Sequence, residues 1–572
     1  MQLNNVLPLQ HWLKSYSKTS MTNDFIAGII ATIVMVPQGM AYALLAGVPA
    51  EYGLYCAILP TLLYALLGSS RSLSVGPAAL ISIMVASSIG ALNPQTDAEY
   101  LHYAVNISFL AGLFLIAMRL FRLGSITNFI SMPVVSGFTS ASAIIITASQ
   151  LKHIVGIPVA SGLSFDETLW QLGTHIGEIN YTTLFAGILS CFALWYFKGH
   201  FPKLVKKLAL PTWLDQAISK AGPMFVVLIG AVLVGVFDLH ETANIAIVGL
   251  IPDGLPSLQF VPVDISLWKS IALPSFLIAL MCFVTSITVG TSLAGKRKER
   301  IDANQELLAL GAANLGAAFS GTFALAASMS RSAVNHSAGA ETTIASMVCA
   351  LGVLLTLLFL TPLFYFLPLV VLGAIVIMSV SSLIEFHQIQ RCWKLNKADA
   401  YSLLATFITV LVFGIEIGIC VGIIGSVILI IHRASHPHIA IVGRVGKSEH
   451  FRNIERHDVH IDKHVLAIRV DESIYFSNVQ CIENFVFEAC YKRPETRHVV
   501  LIFSSVSFVD TTAVDALDNM IGKFKNLNVQ LHLAEVKGPV MDQLQDSQFV
   551  SDLTPGKIYF TTDEALKSLT TL

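Results

Sequence analysis

Apolar segments follow one another along most of this chain, from about residue 23 to about residue 432, and few charged residues separate them. Each is close to the roughly 20 apolar residues that an α-helix needs to cross the hydrocarbon core of a bilayer. Hydrophobic residues make up 54% of the 572 residues and charged residues 13%, against about 25% charged residues in a soluble protein. The mean hydropathy is +0.69. These values exclude a soluble enzyme, a disordered chain and a fibrous protein, and they predict an α-helical integral membrane protein.

Charge divides the chain into three parts. Residues 1–22 are polar to amphipathic, residues 23–432 carry the apolar segments, and residues 433–572 are polar and charged. We therefore predict a cytosolic N-terminal segment (1–22), a transmembrane domain (23–432) and one cytosolic domain of ordinary size (433–572). The apolar run after residue 22 continues too far for a cleavable signal peptide, so we expect none.

Fourteen apolar segments have a length and composition that suit membrane spans. They lie near residues 24–46, 53–68, 74–91, 103–121, 128–148, 181–197, 223–238, 270–293, 304–321, 329–340, 343–361, 368–384, 398–414 and 416–432. Two of them begin abnormally. The third starts after SVGP (74–77), and the tenth is short and follows SGTFALAA (320–327).

Lysine and arginine in short loops set the orientation of a multi-span protein. If the N-terminus is cytosolic and the spans alternate, nearly all loop lysines and arginines lie inside. The outer loops are then acidic, and their carboxylates are Asp97, Glu99, Asp166, Glu167, Glu178, Asp238, Glu241, Asp253 and Asp264. We predict a multi-pass protein of the cell's inner (plasma) membrane with both termini in the cytoplasm.

Strand-like runs alternate with helical patterns in the polar tail. The runs lie at 464–470, 498–503 and 529–534, and the helical patterns lie near 478–490, 512–525 and 539–548. This order predicts a small α/β sheet with helices.

The motifs indicate neither an enzyme nor a cofactor site. The sequence GRVGKS (443–448) lacks the first glycine of a phosphate loop, because Ile441 occupies that position. The histidines at 432, 436 and 438 lack the further ligands of a zinc site, and the eight cysteines include no Cys-x-x-Cys pair. Lys+Arg (35) nearly balances Asp+Glu (37), which leaves no basic surface for nucleic acid. We expect no enzyme activity, no cofactor, no metal and no nucleic-acid partner.

The two abnormal spans lie one in each half of the apolar region. Backbone polar groups must be satisfied in lipid, so irregular backbone at membrane depth usually lines a protected cavity. One interruption in each half, before Ala78 and before Met329, is typical of a transporter with inverted repeats, here seven plus seven spans. The alternative is that both stretches are ordinary kinks in buried helices.

The helices that follow the interruptions favour an anion as the substrate. A helix N-terminus carries about half a positive charge and several unsatisfied N–H donors. Arg331, at the start of the tenth span, adds a full charge, and Ser328 and Ser330 offer hydroxyl donors. The alternative is that Arg331 pairs internally with Glu306 or Glu341 and only holds helices together.

The first span contains a polar pair beside a proline and a glycine. Gln38 lies between Pro37 and Gly39, and Tyr42 follows one turn later on the same helix face. We expect Gln38 and Tyr42 to form a polar wall opposite the two helix ends. The alternative is that both side chains bond only to neighbouring helices.

Several ordered motifs of this chain resemble the sulfate permease (SulP) and prestin family of anion transporters. In the membrane part they are VPQGMAYA (36–43), GLY (53–55), LGSSR (67–71), SVGP (74–77), IPDGLP (251–256), NQEL (304–307), SMSRSAVN (328–335) and AGA (338–340). In the tail, VDESIYF (470–476) and VKGPV (536–540) resemble the STAS domain that these transporters carry. The resemblance covers nearly the whole chain.

The resemblance implies a fold of two inverted seven-helix repeats, divided into a core domain (spans one to four and eight to eleven) and a gate domain. It implies a homodimer, an anion held between the N-termini of helices 3 and 10, and an elevator-like movement of core against gate. Substrates across the family include sulfate, bicarbonate, chloride and dicarboxylates. The family's anion-contacting positions fall here on Gln38, Tyr42, Ala78, Ala79 and Ser330, with Arg331 close behind.

The chain departs from the family pattern at three places. Before the tenth helix, where the family often has Thr-Gly-Ser, this chain reads Ala326-Ala327-Ser328, so its backbone is less free. Many bacterial members carry a carboxylate for cation or proton coupling in the eighth span, where this chain has Thr285, with Thr288 one turn later. A threonine does not titrate near neutral pH, so these two coupling candidates favour exchange or uncoupled anion movement over symport. In the tail, the usual Asp-Ser-Ser-Gly reads DTTA (510–513). We expect a helix cap there rather than a phosphorylation site at Thr511.

We therefore expect a secondary transporter of small inorganic anions, with sulfate first among its substrates. Its partners are the anion, the lipid bilayer, a second copy of the chain and a possible cytosolic protein that binds the STAS domain. The alternatives are a bicarbonate or chloride carrier of the same architecture, an anion channel, and a membrane sensor that signals through its STAS domain.

Overall fold

The computed structural model describes residues 7–14, 16–160, 162–207, 211–252, 254–262 and 264–570. Asp253 and parts of the predicted N-terminal segment lie outside the described residues. The chain divides into two compact units, residues 1–426 and 427–572, and the division falls inside the last helix of the apolar region. The predicted domain limits at residues 22 and 432 stay a prediction.

Helices dominate the apolar region, and a single pair of two-residue strands lies among the described residues of that region. The helices are α1 (Pro8–Leu13), α2 (Lys18–Leu45), α3 (Glu51–Tyr55), α4 (Leu59–Leu67), α5 (Ala79–Gly90), α6 (Asp97–Leu120), α7 (Met132–Val155), α8 (Phe165–Thr174), α9 (Tyr181–Gly199), α10 (Phe201–Lys206), α11 (Thr212–Lys220), α12 (Gly222–Val236), α13 (Leu239–Thr242), α14 (Ile265–Arg297), α15 (Ala303–Phe319), α16 (Met329–Ser337), α17 (Ile344–Phe359), α18 (Leu369–Val380), α19 (Phe386–Leu395), α20 (Lys397–Phe413) and α21 (Ile415–Ser435). The strands are β1 (Val75–Gly76) and β2 (Ala326–Ala327).

Each of the fourteen predicted segments coincides with a helix, and segment 53–68 coincides with the pair α3 and α4. Within the described residues, six helices are long and apolar enough to cross a membrane. A seventh crossing results if α11 and α12, bent by 53° at their junction, form one span. The remaining segments hold shorter helices, so the number of fourteen crossings stays a prediction.

The first span and its neighbour approach closely at two glycines. A β-carbon on Gly53 of α3 would overlap the carbonyl oxygen of Gly39 in α2, and one on Gly39 would lie 3.1 Å from the carbonyl oxygen of Gly53. Small residues permit such backbone contact between membrane helices. The contact fixes the part of α2 that carries Gln38 and Tyr42.

A six-stranded sheet forms the second unit. Its strands are β3 (Ile439–Arg444), β4 (Phe451–Asn453), β5 (Val465–Val470), β6 (His498–Ile502), β7 (Gln530–Ala534) and β8 (Ile558–Tyr559). The strand order is β4-β3-β5-β6-β7-β8; β5 to β8 are parallel, and β3 runs antiparallel to both of its neighbours. The helices of this unit are α22 (Val479–Tyr491), α23 (Thr511–Asn526), α24 (Gly538–Gln545), α25 (Phe549–Asp552) and α26 (Thr562–Thr570). The three predicted strands and the three predicted helices of the tail are all present, within a few residues of the predicted bounds.

Candidate functional site

The two interrupted stretches meet each other in the structure. β1 and β2 pair antiparallel, with Val75 opposite Ala327 and Gly76 opposite Ala326. Each strand leads directly into a helix, β1 into α5 and β2 into α16. The pairing satisfies backbone groups that helices would otherwise bond, which is how extended backbone is tolerated inside a membrane protein. The stretches are therefore not ordinary helix kinks.

Both helices begin without a side-chain cap. The cap residue of α5 is Ala78 and that of α16 is Ser328; both have extended backbone angles, and neither side chain bonds to the first turn. Pro77 disfavours the helical conformation for the residue before it, which keeps β1 extended up to the start of α5. The first N–H groups of each helix thus have no side-chain acceptor, and the positive end of each helix dipole is uncompensated by a carboxylate in its first turn.

Buried hydroxyl groups fix the place where β1 pairs with β2, which is called the crossing below. The backbone N–H of Ser74 donates to Oγ of Ser332 at 2.9 Å, and the N–H of Ala327 donates to Oγ of Ser286 at 3.0 Å. The N–H of Ser328 donates to the carbonyl oxygen of Ser74 at 3.1 Å. These bonds fix β1 to α16 and β2 to α14, so the two helix ends keep one relative position.

Asn314 of α15 fixes Leu325, the residue before β2. Its side chain accepts the N–H of Leu325 at 3.1 Å and donates to the carbonyl oxygen of Leu325 at 3.1 Å. Asn314, Ser286 and Ser332 were not predicted from the sequence as site residues. In the sequence, each of them is only an isolated polar residue in a helix, and that pattern does not show which backbone group the side chain will bond.

Arg331 lies buried next to the crossing. Its side chain has 1% exposure, and none of its three guanidinium nitrogens has a hydrogen-bond partner among the described residues. A β-carbon on Gly76 would lie 3.4 Å from Nη2 of Arg331, so the guanidinium lies against the backbone of β1. A buried charge is costly unless it is paired. A bound anion would therefore supply the partner that the guanidinium and the two helix N-termini lack.

The carboxylates that were alternative partners for Arg331 are bonded elsewhere. Glu306 accepts from the hydroxyl of Tyr64 at 2.9 Å and from the backbone N–H of Ser69 at 2.8 Å. Glu341 accepts from the hydroxyl of Ser20 and from the side-chain amide of Asn23. The alternative that Arg331 pairs with Glu306 or Glu341 is therefore wrong, because both carboxylates serve other contacts.

The remaining candidates differ in burial and in their partners. Gln38 and Tyr42 are buried; Oε1 of Gln38 has no hydrogen-bond partner, while the Tyr42 side chain interacts with Ser379 of α18. Ala78 and Ala79 are buried, whereas Ser330 at the start of α16 is exposed. In the first turn of α16, Ser330 is thus exposed while the neighbouring Arg331 is buried.

The coupling candidates on α14 bond to their own helix. The hydroxyl of Thr285 donates to the carbonyl oxygen of Met281 at 2.6 Å, and that of Thr288 donates to the carbonyl oxygen of Val284 at 2.7 Å. No group of three or more metal-ligating His, Cys, Asp or Glu side chains occurs in the described part of the chain. These hydroxyls could offer lone pairs to a cation, but they bring no negative charge with them.

In the second unit, Asp510 is the cap of α23. Its Oδ1 accepts the N–H of Ala513 at 2.8 Å, and its Oδ2 accepts the N–H of Phe476 at 2.9 Å. The predicted helix cap is confirmed, and Thr511 beside it is exposed.

Comparisons with known proteins identify both parts of the chain. The sulfate permease family model matches residues 21–406, and the STAS domain model matches residues 456–565. The chain is 33% identical over 545 residues to the chloroplastic sulfate transporter 4.1 of Arabidopsis thaliana; the match covers 93% of this chain and 78% of that protein.

Solved structures match the fold. The murine Slc26a9 anion transporter in the inward-facing state matches with a TM-score of 0.87 and 24% identity, over 99% of this chain and 94% of that chain. The transmembrane domain of the cyanobacterial bicarbonate transporter BicA matches with a TM-score of 0.59 and 20% identity, over 72% of this chain and 98% of that chain. The predicted fold class, a helical membrane protein with a C-terminal STAS domain, is confirmed.

The fold is that of a multi-pass helical membrane protein with a C-terminal STAS domain. The family model matches well over half of the residues, and the chain belongs to the sulfate permease family. That family is made up of transporters.

Proposed function

We propose that this protein is a secondary transporter of small inorganic anions, with sulfate as its first substrate, and that the anion binds between the N-termini of α5 and α16. The observation that carries the proposal is Arg331, a buried guanidinium without a partner among the described residues, beside two uncapped helix starts. Gln38, Tyr42, Ala78, Ala79, Ser328 and Ser330 complete the proposed site.

Charge favours a dianion at this place. Two helix N-termini supply about one unit of positive charge, and Arg331 brings the total to about two. Sulfate would neutralise this charge, whereas chloride or bicarbonate would leave about one unit of it. Named relatives support the same choice, since the similar Arabidopsis proteins include sulfate transporters.

Transport would follow from movement of the crossing as one body. Hydrogen bonds tie β1 to α16 and β2 to α14, so α5 and α16 would carry the anion together. In the proposed elevator mechanism, a core of α2–α6 and α14–α17 slides against a gate formed by the remaining spans. Seven plus seven inverted repeats, a homodimer in the plasma membrane and cytoplasmic termini belong to the same proposal.

Anion uptake into proteoliposomes tests the substrate. Purified full-length protein should take up labelled sulfate at a rate that saturates with sulfate concentration. Sulfate inside the vesicles should stimulate this uptake, because a carrier that has released its anion returns to the outside with an internal anion bound. Bicarbonate, chloride and fumarate serve as competing anions. Saturable chloride or bicarbonate exchange without sulfate uptake would identify the alternative carrier, conductance without saturation would identify a channel, and no flux of any anion would favour a sensor.

Ion gradients test the coupling. We expect an inward proton or sodium gradient to change sulfate uptake less than twofold, because Thr285 and Thr288 carry no titrating or anionic group. Thr285→Glu should introduce proton dependence, and Thr291→Glu, three residues further along α14 than Thr288, is the matched control. Strong stimulation of the unaltered protein by either gradient, lost when the gradient is dissipated, would contradict the prediction.

A further inference from the structure

A second feature of the membrane unit is an apolar groove between α9 and α12. Phe197 and Ala193 line it on α9, Gly230 and Val226 on α12, and Val371 of α18 lies at its base. Gly230 keeps the groove deep, since a β-carbon there would lie 3.0 Å from Cγ2 of Val371. Large apolar side chains along both helices are exposed, and they include Leu189, Phe192, Ile229 and Leu233. The groove is therefore open on the side that these exposed apolar residues share.

One end of the groove is strongly basic. Phe197 is followed by Lys198, and a β-carbon on Gly222, two residues after Lys220, would lie 2.7 Å from Cβ of Phe197. From the last turn of α9 to the start of α12 the chain carries five lysines and one carboxylate, Asp215, and all five lysines are exposed: Lys198, Lys203, Lys206, Lys207 and Lys220. No salt bridge joins any of them to a carboxylate within the described residues.

Aromatic side chains mark the same end. The ring of Phe201 lies 4.8 Å from that of Phe197, and Trp195 and Trp213, which lie in the same part of the chain as the lysines, are exposed. Tryptophan is enriched at membrane–water interfaces, so the basic end is expected at headgroup level. Along α9 the groove extends from Ala186 to Phe197, about 16 Å at 1.5 Å per residue, close to one leaflet of a hydrocarbon core about 30 Å thick.

We propose that this groove binds one acyl chain of an anionic phospholipid, whose headgroup phosphate lies among the lysines at the groove's basic end. The apolar lining accepts the chain, and the five cationic side chains without carboxylate partners complement the headgroup charge. The inference is independent of the substrate and of the anion site, because none of these residues belongs to that site.

Lipid binding to the full-length protein tests the proposal. After delipidation in detergent, phosphatidylglycerol and phosphatidylcholine are added at equal concentration, and bound lipids are counted by native mass spectrometry. Phosphatidylglycerol should be retained about tenfold more strongly, because each lysine near an anionic headgroup contributes measurable attraction. The double variant Lys198→Gln/Lys220→Gln should lose most of this preference, whereas Lys394→Gln/Lys397→Gln, exposed lysines near the α19–α20 junction, should keep it.

Filling the groove provides the second arm. Gly230→Leu should remove one bound lipid, whereas Gly425→Leu, on a helix glycine whose β-carbon would meet no atom within 4 Å, should not. Equal binding of the two lipids, or equal loss in both lysine double variants, would overturn the proposal. So would a change from dimer to monomer in Gly230→Leu with unchanged lipid binding, because a second copy of the chain would then occupy the groove.

Discussion

Replacing Arg331 by methionine should weaken sulfate binding about a hundredfold and yet stabilise the empty protein. The guanidinium is fully buried without a partner among the described residues, so the folded protein bears its desolvation cost whenever the site is empty. Methionine fills a similar volume without that cost. With the charge gone, sulfate loses a charge-assisted contact, and we expect its affinity to fall about a hundredfold, or about 3 kcal/mol.

Thermal unfolding with and without sulfate measures both effects. The unaltered protein should melt higher with sulfate, while Arg331→Met should melt higher than the unaltered protein without sulfate and show no further rise on adding it. Arg331→Lys keeps the charge and should retain part of the affinity, and Arg391→Met changes an exposed arginine as the matched control. Normal sulfate affinity in Arg331→Met would make Arg331 a structural residue only.

Enlarging Ala78 should select against large anions. Ala78 is the cap of α5 and is 7% exposed, so a phenyl ring there must occupy the space beside the helix start. Overfilling a packed site costs about 1–3 kcal/mol, which corresponds to a loss of about five- to 150-fold. Ala78→Phe is therefore expected to reduce sulfate uptake by about fivefold or more, and chloride uptake much less, because chloride is smaller.

Uptake of both anions by the same liposome preparation measures this selectivity. Ala91→Phe is the control, since Ala91 is the exposed residue at the opposite end of the same helix. Equal loss of sulfate and chloride transport in Ala78→Phe would contradict selection by size at this wall and would indicate a general distortion of α5.

The starts of the two site helices could be predicted because the sequence interrupts its apolar pattern there. Gly76-Pro77 and the stretch 320–327 predicted breaks, and α5 and α16 begin at Ala79 and Met329. The pairing of β1 with β2 could not be predicted, since a two-residue strand has no usable period. The hydroxyls of Ser286 and Ser332 were missed for a related reason: their partners are backbone N–H groups on distant segments.

Arg331 illustrates a limit of another kind. Its position in the sequence predicted a functional charge, but whether a buried charge is paired depends on three-dimensional neighbours. Glu306 was available by composition and is bonded to Tyr64 and Ser69 instead. Short helices on the connections were missed as well, because α8, α10, α11 and α19 have at most ten residues each and lack the long apolar runs that identify spans.

The crossing of β1 and β2 also constrains how the protein is made. Ser74 and Ser332, which bond across it, are separated by 258 residues along the chain. At about 5–20 residues per second, a ribosome needs roughly 13 to 50 seconds to synthesise that interval. During this time β1 is already made and its partner strand does not exist, so its backbone groups must be sheltered by water, lipid headgroups or an insertion factor. The proposed anion site therefore cannot form before α16 is made, and a nascent chain halted before residue 326 contains one helix end without the other.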